Sequence, residues 1–503
     1  MTELQRAPAW RVQHTAWRAL RDVRVTRCDR GAAHVTQRTP RSVLHTQPVW
    51  LGLKVLPANS TLFTYGLQAG WLSPSAKVLQ SSSSPTGAPL SDSTLGWVAS
   101  LMPITAAFTV PLFAFLADRI GRKKSILLMT VPQIGCWLLK LFATNLTYLI
   151  IARICYGLAA AGCFSAVPMY NKEIAQDNIR GLQIIQINLL IYDSYCFPGI
   201  LTIYALGAYL DYYTILYVVT GIPVLTFFLM LKCPESPGYL VKIGRFDEAA
   251  ENLSCLRGLP IHDPSLQTEL ECMKKQDEYY KTLPSLSLVV IFKDKAWRKA
   301  YLISALVIAV QALSGNFALV TYGANIVSSV ANMNAELQTL SFPTIMMLGS
   351  VVSVCIMERI GRKMILLFSY VVSVLSLSSL ATVMLLPNDS VPVWFPLLAI
   401  TSSMFVYAVG VLPGPYIIMS EMFNIQIRAK LLGMVTAQAW IMCFTQLAAF
   451  APITAALGMH TYFYICAGMN LLGIVVVLVL MPETRGKSIE ENSILFYSIL
   501  KDT

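Results

Sequence analysis

Charged residues are scarce in this sequence. Asp, Glu, Lys and Arg make up 13% of its 503 residues, against about 25% in an average soluble domain. Hydrophobic residues make up 55%, which is more apolar surface than a water-soluble fold of this size can bury. Apolar runs of about 20 residues, long enough to cross a bilayer, recur along the chain. The composition therefore excludes an ordinary soluble protein and indicates one whose partner is the lipid bilayer.

The sequence also lacks the patterns that hold metals or catalytic groups. Its eleven cysteines form no CxxC pair and show no Cys/His spacing typical of metal sites. Several of them, such as Cys136, Cys155 and Cys466, lie inside apolar runs, where cysteine behaves as a small hydrophobic residue. No nucleophile with an accompanying general base is evident. We therefore expect no metal, no cofactor and no catalytic residues, and we do not expect an enzyme.

The net charge of +11 does not indicate a nucleic-acid partner. Residues 1–45 contain nine arginines and three acids, and so supply roughly half of the excess. Most other basic residues lie in short connections between apolar runs, as in membrane proteins. No apolar run precedes residue 48, so we expect no cleavable signal peptide. Residues 1–47 are predicted to be a disordered, arginine-rich cytoplasmic tail, or an extension that is absent from the mature protein.

Twelve apolar segments can be counted, and a polar stretch separates the first six from the last six. Numbered one to twelve, they lie at 55–72, 95–117, 125–143, 146–170, 184–207, 213–231, 300–327, 338–357, 364–387, 392–419, 431–457 and 461–481. This pattern predicts an all-α membrane protein with twelve transmembrane helices, in an N-terminal half at 48–231 and a C-terminal half at 300–481. Residues 232–299 are predicted to form a cytoplasmic linker with short amphipathic helices, and 482–503 a cytoplasmic tail.

The distribution of lysine and arginine predicts the orientation. If both termini are cytoplasmic, the connections that face inward contain 25 Lys and Arg residues and those that face outward contain one, Lys77. The opposite orientation would reverse this ratio and violate the positive-inside rule. We therefore expect both termini in the cytoplasm.

The two halves repeat three motifs at nearly the same offset, 240 or 248 residues. Asp118–Lys123 recurs as Glu358–Lys363. Glu173 with Arg180 recurs as Glu421 with Arg428, and Pro234-Glu235 recurs as Pro482-Glu483. Three motifs at nearly one offset indicate duplicated six-helix halves. Such halves place a substrate site between them, near the middle of the membrane.

Seven motifs, in the same order along the chain, resemble those of sugar porters of the major facilitator superfamily, in the glucose-transporter-like branch. These motifs are Asp118–Lys123, Glu173 with Arg180-Gly181, Pro234–Pro237, Gln311–Gly315, Glu358–Lys363, Gly414-Pro415 with Glu421 and Arg428, and Pro482–Ser488. The resemblance covers roughly residues 50–495 and is nearest to the insect facilitated trehalose transporters. It implies a plasma-membrane carrier, acting as a monomer, that moves a sugar by alternating access.

The resemblance also implies a set of residues that bind the sugar, which needs neutral hydrogen-bonding groups and an aromatic face. The candidates are Gln311, Asn188, Ser314, Asn316, Tyr322, Tyr416 and Trp440. Gln311 matches the first glutamine of the family motif, Ala312 replaces the second, and Asn316 stands one position from the usual asparagine, about 100° around a helix. The set of amides is therefore thinner than in a typical glucose carrier. Each of these polar residues can instead serve as a contact between helices.

Acids and bases at the ends of segments are candidates for a cytoplasmic gate. They are Asp118, Arg122, Glu173, Arg180, Glu358, Arg362, Glu421 and Arg428. Pairs among them can tie the halves together and separate when the inner side opens, although the bases alone would also satisfy the positive-inside rule. Arg153 lies inside segment four, and a charge within the membrane is a candidate functional residue unless its side chain reaches the membrane surface.

Three functions remain open at this point. A facilitative uniporter is favoured over a proton–sugar symporter, because Phe63-Thr64-Tyr65-Gly66 in segment one contains no acid and proton coupling needs a titratable group. The thinner set of amides keeps open a third function, that of a non-transporting nutrient sensor or degenerate paralogue.

Overall fold

In this computed structural model, the regular secondary structure of the described chain is entirely helical. The described residues are 41–174, 183–282, 292–293, 295–330, 335–387, 391–392, 394–422 and 425–481. Within them, the side chains of 41–55, 183–191, 295–296, 330, 335–336, Glu358 and 420–429 lie outside the description. The chain forms a larger unit, which contains the apolar segments from residue 57 onward, and a smaller unit, which contains residues 233–282.

The six segments of the N-terminal half form six long helices, and a short helix follows the first of them. These helices are α1 (Arg41–Gly70), α2 (Leu72–Leu79), α3 (Asp92–Ile120), α4 (Arg122–Leu141), α5 (Leu146–Ile174), α6 (Gln183–Tyr209) and α7 (Tyr212–Leu231). α1 begins before residue 48, the predicted start of this half, because a helix can continue beyond the apolar stretch that crosses the bilayer. The start of α3 is capped by Ser91, whose Oγ accepts from the Thr94 N–H at 3.2 Å.

The smaller unit lies in the polar stretch between the halves. It contains α8 (Pro237–Lys242), α9 (Phe246–Arg257) and α10 (Pro264–Thr282). Apolar side chains such as Leu253 and Leu270 form its own buried cluster. The Arg257 guanidinium donates to both carboxylate oxygens of Glu269, at 3.1 and 2.6 Å, and this paired geometry holds α9 against α10.

The C-terminal half contains interrupted as well as continuous helices. They are α11 (Lys295–Ala312), α12 (Asn316–Thr321), α13 (Gly323–Val330), α14 (Ala335–Thr339), α15 (Ser341–Ile360), α16 (Arg362–Val383), α17 (Trp394–Val406), a π-helix (Tyr407–Val411), α18 (Pro413–Met422), α19 (Ile425–Leu457) and α20 (Met459–Leu480). Segment seven is interrupted, because it consists of α11, α12 and α13. Segment ten is interrupted, because it consists of α17, the π-helix and α18.

The packing of the helices repeats from one half to the other. α4 packs against α5 and α7, and its counterpart α16 packs against α17 and α20, the counterparts of those two helices. Between the halves, α6 packs on α15 and α19 packs on α3, which are again equivalent pairs. This repetition confirms the predicted all-α architecture of two pseudo-symmetric six-helix halves.

The repeated basic motif has the same backbone conformation and the same contacts in both halves. Gly121 joins α3 to α4 with a φ of 104°, and Gly361 joins α15 to α16 with a φ of 107°, a region that favours glycine. The Nζ of Lys123 donates to the last carbonyl of α7 at 2.8 Å, and the Nζ of Lys363 donates to the Leu478 carbonyl of α20 at 3.2 Å. The duplication therefore extends from the sequence to individual hydrogen bonds.

In the described part of the chain, nine helical stretches are long and apolar enough to cross a membrane. α4 is not one of them, because it contains four basic residues. Large apolar side chains such as Phe108, Leu225, Leu375 and Val479 are more than half exposed on the helices. A bundle that exposes such side chains needs lipid around it.

Candidate functional site

Segment seven is broken in its middle. α11 ends at Ala312 and α12 begins at Asn316, and Gly315 between them has a φ of 99°. A Cβ at Gly315 would also meet the side chain of Cys466 at 3.0 Å. With its amide oriented to satisfy both atoms, Gln446 of α19 donates to the Ala312 carbonyl (3.2 Å) and accepts from the Gly315 N–H (2.8 Å). A side chain from a neighbouring helix therefore satisfies the backbone groups that the break exposes.

Asn316 lies at the start of the helix that follows the break. Asn316 and Phe317 are the first two residues of α12, so the shift of one position, about 100° around a helix, falls within a single helix. The Nδ2 of Asn316 donates to Ser314 Oγ and its Oδ1 accepts from Ser403 Oγ, both at 3.2 Å. Asn470 of α20 donates to the Ser314 carbonyl at 3.0 Å. Ser314 and Asn316 thus join the broken segment to α17 and α20, and their contact with a sugar remains a prediction.

Gln311 and Tyr322, by contrast, have polar atoms that are left without a partner. Gln311, in the last turn of α11, is 6% exposed, and its Oε1 has no hydrogen-bond partner in the described structure. Tyr322 stacks on Phe450 with ring centroids 4.3 Å apart, and its hydroxyl likewise has no partner there. A buried polar atom without a partner costs about 1–3 kcal/mol, so a ligand hydroxyl that bonds to either atom would stabilise the complex.

Aromatic side chains from both halves meet at Trp440. Phe164 of α5 approaches the Trp440 ring edge-on with centroids 5.1 Å apart, and Phe317 of α12 lies 6.3 Å from the same ring. Tyr65 of α1 and Tyr192 of α6 lie 5.4 and 5.1 Å from Phe164. Such faces suit the C–H surface of a sugar ring. The predicted sugar-binding residue Trp440 is thus placed where the two halves meet.

Two other predicted sugar-binding residues are Tyr416 and Asn188. Tyr416 of α18 is partly buried and packs against the apolar core of the C-terminal half. It follows the π-helix Tyr407–Val411, a distortion that is frequent at functional sites. The side chain of Asn188 lies outside the described residues.

A buried carboxylate also joins the two halves. Ser350 Oγ in α15 donates to Asp193 Oδ2 in α6 at 2.8 Å, and both residues are less than 5% exposed. The other oxygen of Asp193 has no partner in the described structure. The sequence contains this acid inside segment five, but its partner on the opposite half could not be read from it.

The halves also touch at the end of the bundle where α1 ends. There the Ala324 N–H donates to Ser73 Oγ at 3.0 Å, and the Tyr204 hydroxyl donates to the Val320 carbonyl. Each bond links α12 or α13 of the C-terminal half to a helix of the N-terminal half. Segment seven beyond its break is therefore held against the N-terminal half.

Three of the candidate gate residues form a charge cluster. Arg122, at the start of α4, donates to Glu173 at 2.8 Å, to Asp118 at 3.2 Å and to the Ala117 carbonyl at 3.0 Å. Its side chain is 6% exposed, whereas those of Glu173 and Asp118 are 22% and 48% exposed. These three bonds join helices of one half, whereas the sequence predicts bridges between halves.

Among the remaining gate candidates, Arg362 has a described side chain. Arg362, the counterpart of Arg122, is 5% exposed at the start of α16. Arg180 and the side chains of Glu358, Glu421 and Arg428 lie outside the described residues. The gate as a whole therefore stays a prediction.

Arg122→Gln is expected to destabilise the bundle, because two carboxylates would lose the cation between them. Hydrogen bonds to charged groups contribute about 1.5–3 kcal/mol each, and the Arg122 side chain is nearly buried. The midpoint of thermal inactivation of the purified protein should fall by several degrees. Arg245→Gln is the control, since its bond to Glu248 joins side chains that are 63% and 55% exposed and such pairs contribute little. Equal midpoints for the two variants would reduce the Arg122 cluster to surface charges.

Arg153 is buried inside the helix bundle and does not extend to its surface. It is 3% exposed, and its guanidinium carbon lies 5.1 Å from the centroid of the Trp71 ring and 6.0 Å from that of Tyr156. Lys140, which sequence analysis did not single out, is 1% exposed, and its Nζ lies 4.0 Å from the Trp71 ring and 4.2 Å from that of Trp137. The sequence did contain a signal for Lys140, because Lys140 is a charged residue inside segment three, just as Arg153 is inside segment four.

Comparison with known families matches residues 57–496 to the family described as "Sugar (and other) transporter". The chain belongs to this family. It is 28% identical over 454 residues to the facilitated trehalose transporter Tret1 of Anopheles gambiae, over 89% of this chain and 56% of that protein. It is 27% identical over 445 residues to Tret1 of Culex quinquefasciatus, over 87% of this chain and 84% of that protein. The chain spans about half the length of the Anopheles and Aedes aegypti relatives.

Solved structures of sugar transporters share the fold. The inward open conformation of the xylose transporter XylE from E. coli superposes with a TM-score of 0.71 at 18% identity, over 88% of this chain and 98% of that one. The proton:xylose symporter XylE bound to 6-bromo-6-deoxy-D-glucose gives a TM-score of 0.68 at 18% identity, over 90% of this chain and 100% of that one. At this identity the likeness establishes the major facilitator fold and not the substrate.

In this member of the sugar transporter family, sequence reasoning missed the residues that support the site. They are Ser403, Gln446 and Asn470 around the break, and Phe164 and Tyr192 around Trp440. Single amides, hydroxyls and aromatic rings are common in membrane helices, so nothing in the local sequence distinguishes these five. Their role becomes visible only in contacts between distant segments.

Proposed function

We propose that the chain transports a sugar, a hexose or trehalose, by facilitative diffusion, with alternating access between its two halves. The observation that carries this proposal is the unpartnered Oε1 of Gln311. It lies on the same broken segment as Phe317, which belongs to the aromatic cluster shared by the two halves. The names of the relatives, facilitated trehalose transporters, support the same substrate class.

The chemistry of this region suits a neutral polyol. An amide oxygen accepts a hydroxyl proton without changing charge, and edge-on aromatic rings cover the apolar face of a sugar ring. Because the candidate groups come from both halves, a bound sugar would contact both, and its binding energy can shift the equilibrium between outward-facing and inward-facing states. Downhill transport requires nothing more than this shift.

The same proposal includes the setting of the carrier. The excess of basic residues in connections on one side supports an orientation with both termini in the cytoplasm, and we place the carrier in the plasma membrane. The Arg122 cluster and its counterpart at Arg362 would then form the cytoplasmic gate, each on its own half. We further propose that the monomer is the transporting unit, because one chain supplies both halves of the site.

Uptake of labelled glucose, trehalose, fructose and a polyol in transporter-null cells tests the proposal. We expect saturable uptake of at least one sugar, with an internal concentration that approaches and does not exceed the external one. Accumulation above the external concentration would contradict uniport. Sugar binding by the purified protein without any uptake would identify a non-transporting sensor instead.

The proton-coupled alternative rests on one specific feature, the buried Asp193 that bonds to Ser350 across the halves. If the carrier is a uniporter, initial uptake should stay flat between about pH 5.5 and 7.5, since no coupled proton is required. A symporter would instead lose uptake steeply as the pH rises. In that case Asp193→Asn, which preserves an acceptor for Ser350, should abolish the pH dependence. A steep wild-type profile that Asp193→Asn removes would replace uniport with symport.

A further inference from the structure

Two buried cations share one tryptophan ring in the N-terminal half. Lys140, in the last turn of α4, and Arg153, in α5, place their charged groups 4.0 and 5.1 Å from the centroid of the Trp71 ring. Both side chains are at most 3% exposed. Lys140 Nζ and the Nε and Nη2 of Arg153 have no hydrogen-bond partner in the described structure. Several strong donors therefore converge on one place, where the group beside Lys140 that can accept is the sulfur of Cys136, a weak acceptor.

Aromatic contacts do not compensate for this arrangement. A cation that lies over an aromatic ring regains only part of the free energy lost when the charge is removed from water. Here two like charges share the single ring of Trp71. Buried charges in proteins are normally paired. A site with two positive charges and unsatisfied donors is thus electrostatically incomplete.

The groups around the pair are donors as well. The ionisable side chains close enough to interact with Arg153 are Cys136, Tyr156, Tyr212 and Tyr322, and no described carboxylate is among them. The hydroxyls of Tyr212 and Tyr322 are buried and have no partner in the described structure. Tyr212 belongs to α7 of the N-terminal half, and Tyr322 belongs to the C-terminal half. The donors therefore surround the cations from both halves.

We propose that Lys140 and Arg153 form a binding site for a small monovalent anion, either a halide ion or the carboxylate of an acidic sugar. The Tyr212 and Tyr322 hydroxyls would donate to the same anion. Because Tyr322 lies on the far part of segment seven, an anion held there would join the two halves at the end where the Ser73 hydroxyl accepts from Ala324. The bound anion would thereby favour closure of that end. The site stands on these contacts alone and does not depend on the proposed sugar uniport.

The thermal stability of the purified full-length protein tests this site without any transport measurement. HEPES anion, a sulfonate that is neither a halide nor a carboxylate, is replaced stepwise at constant ionic strength by chloride in one series and by D-glucuronate in another. We expect a saturable rise of several degrees in the unfolding midpoint with at least one of them, since a ligand that binds the folded state stabilises it. A rise with chloride alone identifies a free ion, and a rise with glucuronate alone identifies an acidic sugar.

Variants locate the effect. Lys140→Met and Arg153→Met should each remove the saturable rise in the unfolding midpoint, whereas Lys140→Arg should retain it. Lys77→Met is the control, because Lys77 is an exposed base near the same end of the bundle. Since a methionine variant can fail to fold, the wild type supplies a second measurement. Bromide should quench its tryptophan fluorescence with a saturable component, because Trp71 touches both cations.

Clear outcomes would overturn the site. One is the absence of a saturable rise with either anion together with purely linear quenching by bromide. Another is a saturable rise that survives in both methionine variants. If the wild type shows no anion effect and Cys136→Ser creates one, the thiolate of Cys136 supplies the negative charge, and the proposed ligand is wrong. Loss of sugar uptake with an intact anion effect would contradict only the uniport proposal.

Discussion

Replacing Gly66 with alanine is expected to prevent the N-terminal half from folding correctly. A Cβ at this position would lie 2.1 Å from the carbonyl oxygen of Cys196 and 2.9 Å from its carbonyl carbon. On the facing helix, a Cβ at Gly199 would lie 2.3 Å from the carbonyl oxygen of Phe63 and 3.0 Å from the Cα of Gly66. Small residues allow such close approach of helices in membranes. The atoms that would collide belong to the backbone, so no side chain can rotate away.

The cost of Gly66→Ala should therefore exceed the 1–3 kcal/mol that is roughly typical of overpacking, because α1 and α6 must move apart. The fraction of monodisperse protein in size-exclusion chromatography should collapse. Gly221→Ala is a matched control, since Gly221 also lies in an apolar helix but a Cβ there meets nothing within 4 Å. Alanine favours a helix by about 1 kcal/mol over glycine, so this control should fold as well as the wild type or better. Similar behaviour of the two variants would refute the close crossing of α1 and α6.

Gln311→Ala is expected to lower the affinity for the transported sugar by roughly five- to 150-fold, which corresponds to about 1–3 kcal/mol for a lost hydrogen bond in a buried site. The stability of the sugar-free protein should change little or rise, because the variant removes a buried oxygen that has no partner in the described structure. The measurement is competition for uptake by unlabelled sugar, combined with the unfolding midpoint without sugar.

Gln438→Ala provides the contrast for Gln311→Ala. Its Nε2 donates to the Ala305 carbonyl of α11 at 2.9 Å, so its loss should lower stability and leave sugar affinity nearly unchanged. A Gln311→Ala carrier with wild-type affinity would remove Gln311 from the site and leave the aromatic cluster as the remaining candidate.

The architecture could be predicted from the sequence because it depends on local properties. Length and apolarity of a segment are sufficient to identify a membrane helix, and all twelve predicted segments coincide with helices of the described structure. The duplication was visible in the basic motif because Gly121 and Gly361 adopt a backbone conformation that other residues rarely adopt. These features need no knowledge of what lies beside each helix.

The details of the site could not be predicted in the same way. The break in segment seven was not predicted, because hydrophobic periodicity does not reveal that α11 ends at Ala312. Ser403 and Asn470, which satisfy Asn316 and Ser314, come from segments ten and twelve. Such pairings depend on three-dimensional neighbours, and a single sequence contains no record of them.

The break at Gly315 also bears on how the carrier can cross from one state to the other. A straight, rigid transmembrane segment that tilts inward at one face of the membrane tilts outward at the other face. A span that is interrupted in its middle can bend at the break, so α12 and α13 can press against the N-terminal half while α11 has not yet moved. That permits an intermediate in which the cargo is enclosed from both sides. Such an intermediate limits the leakage of ions and water during each cycle.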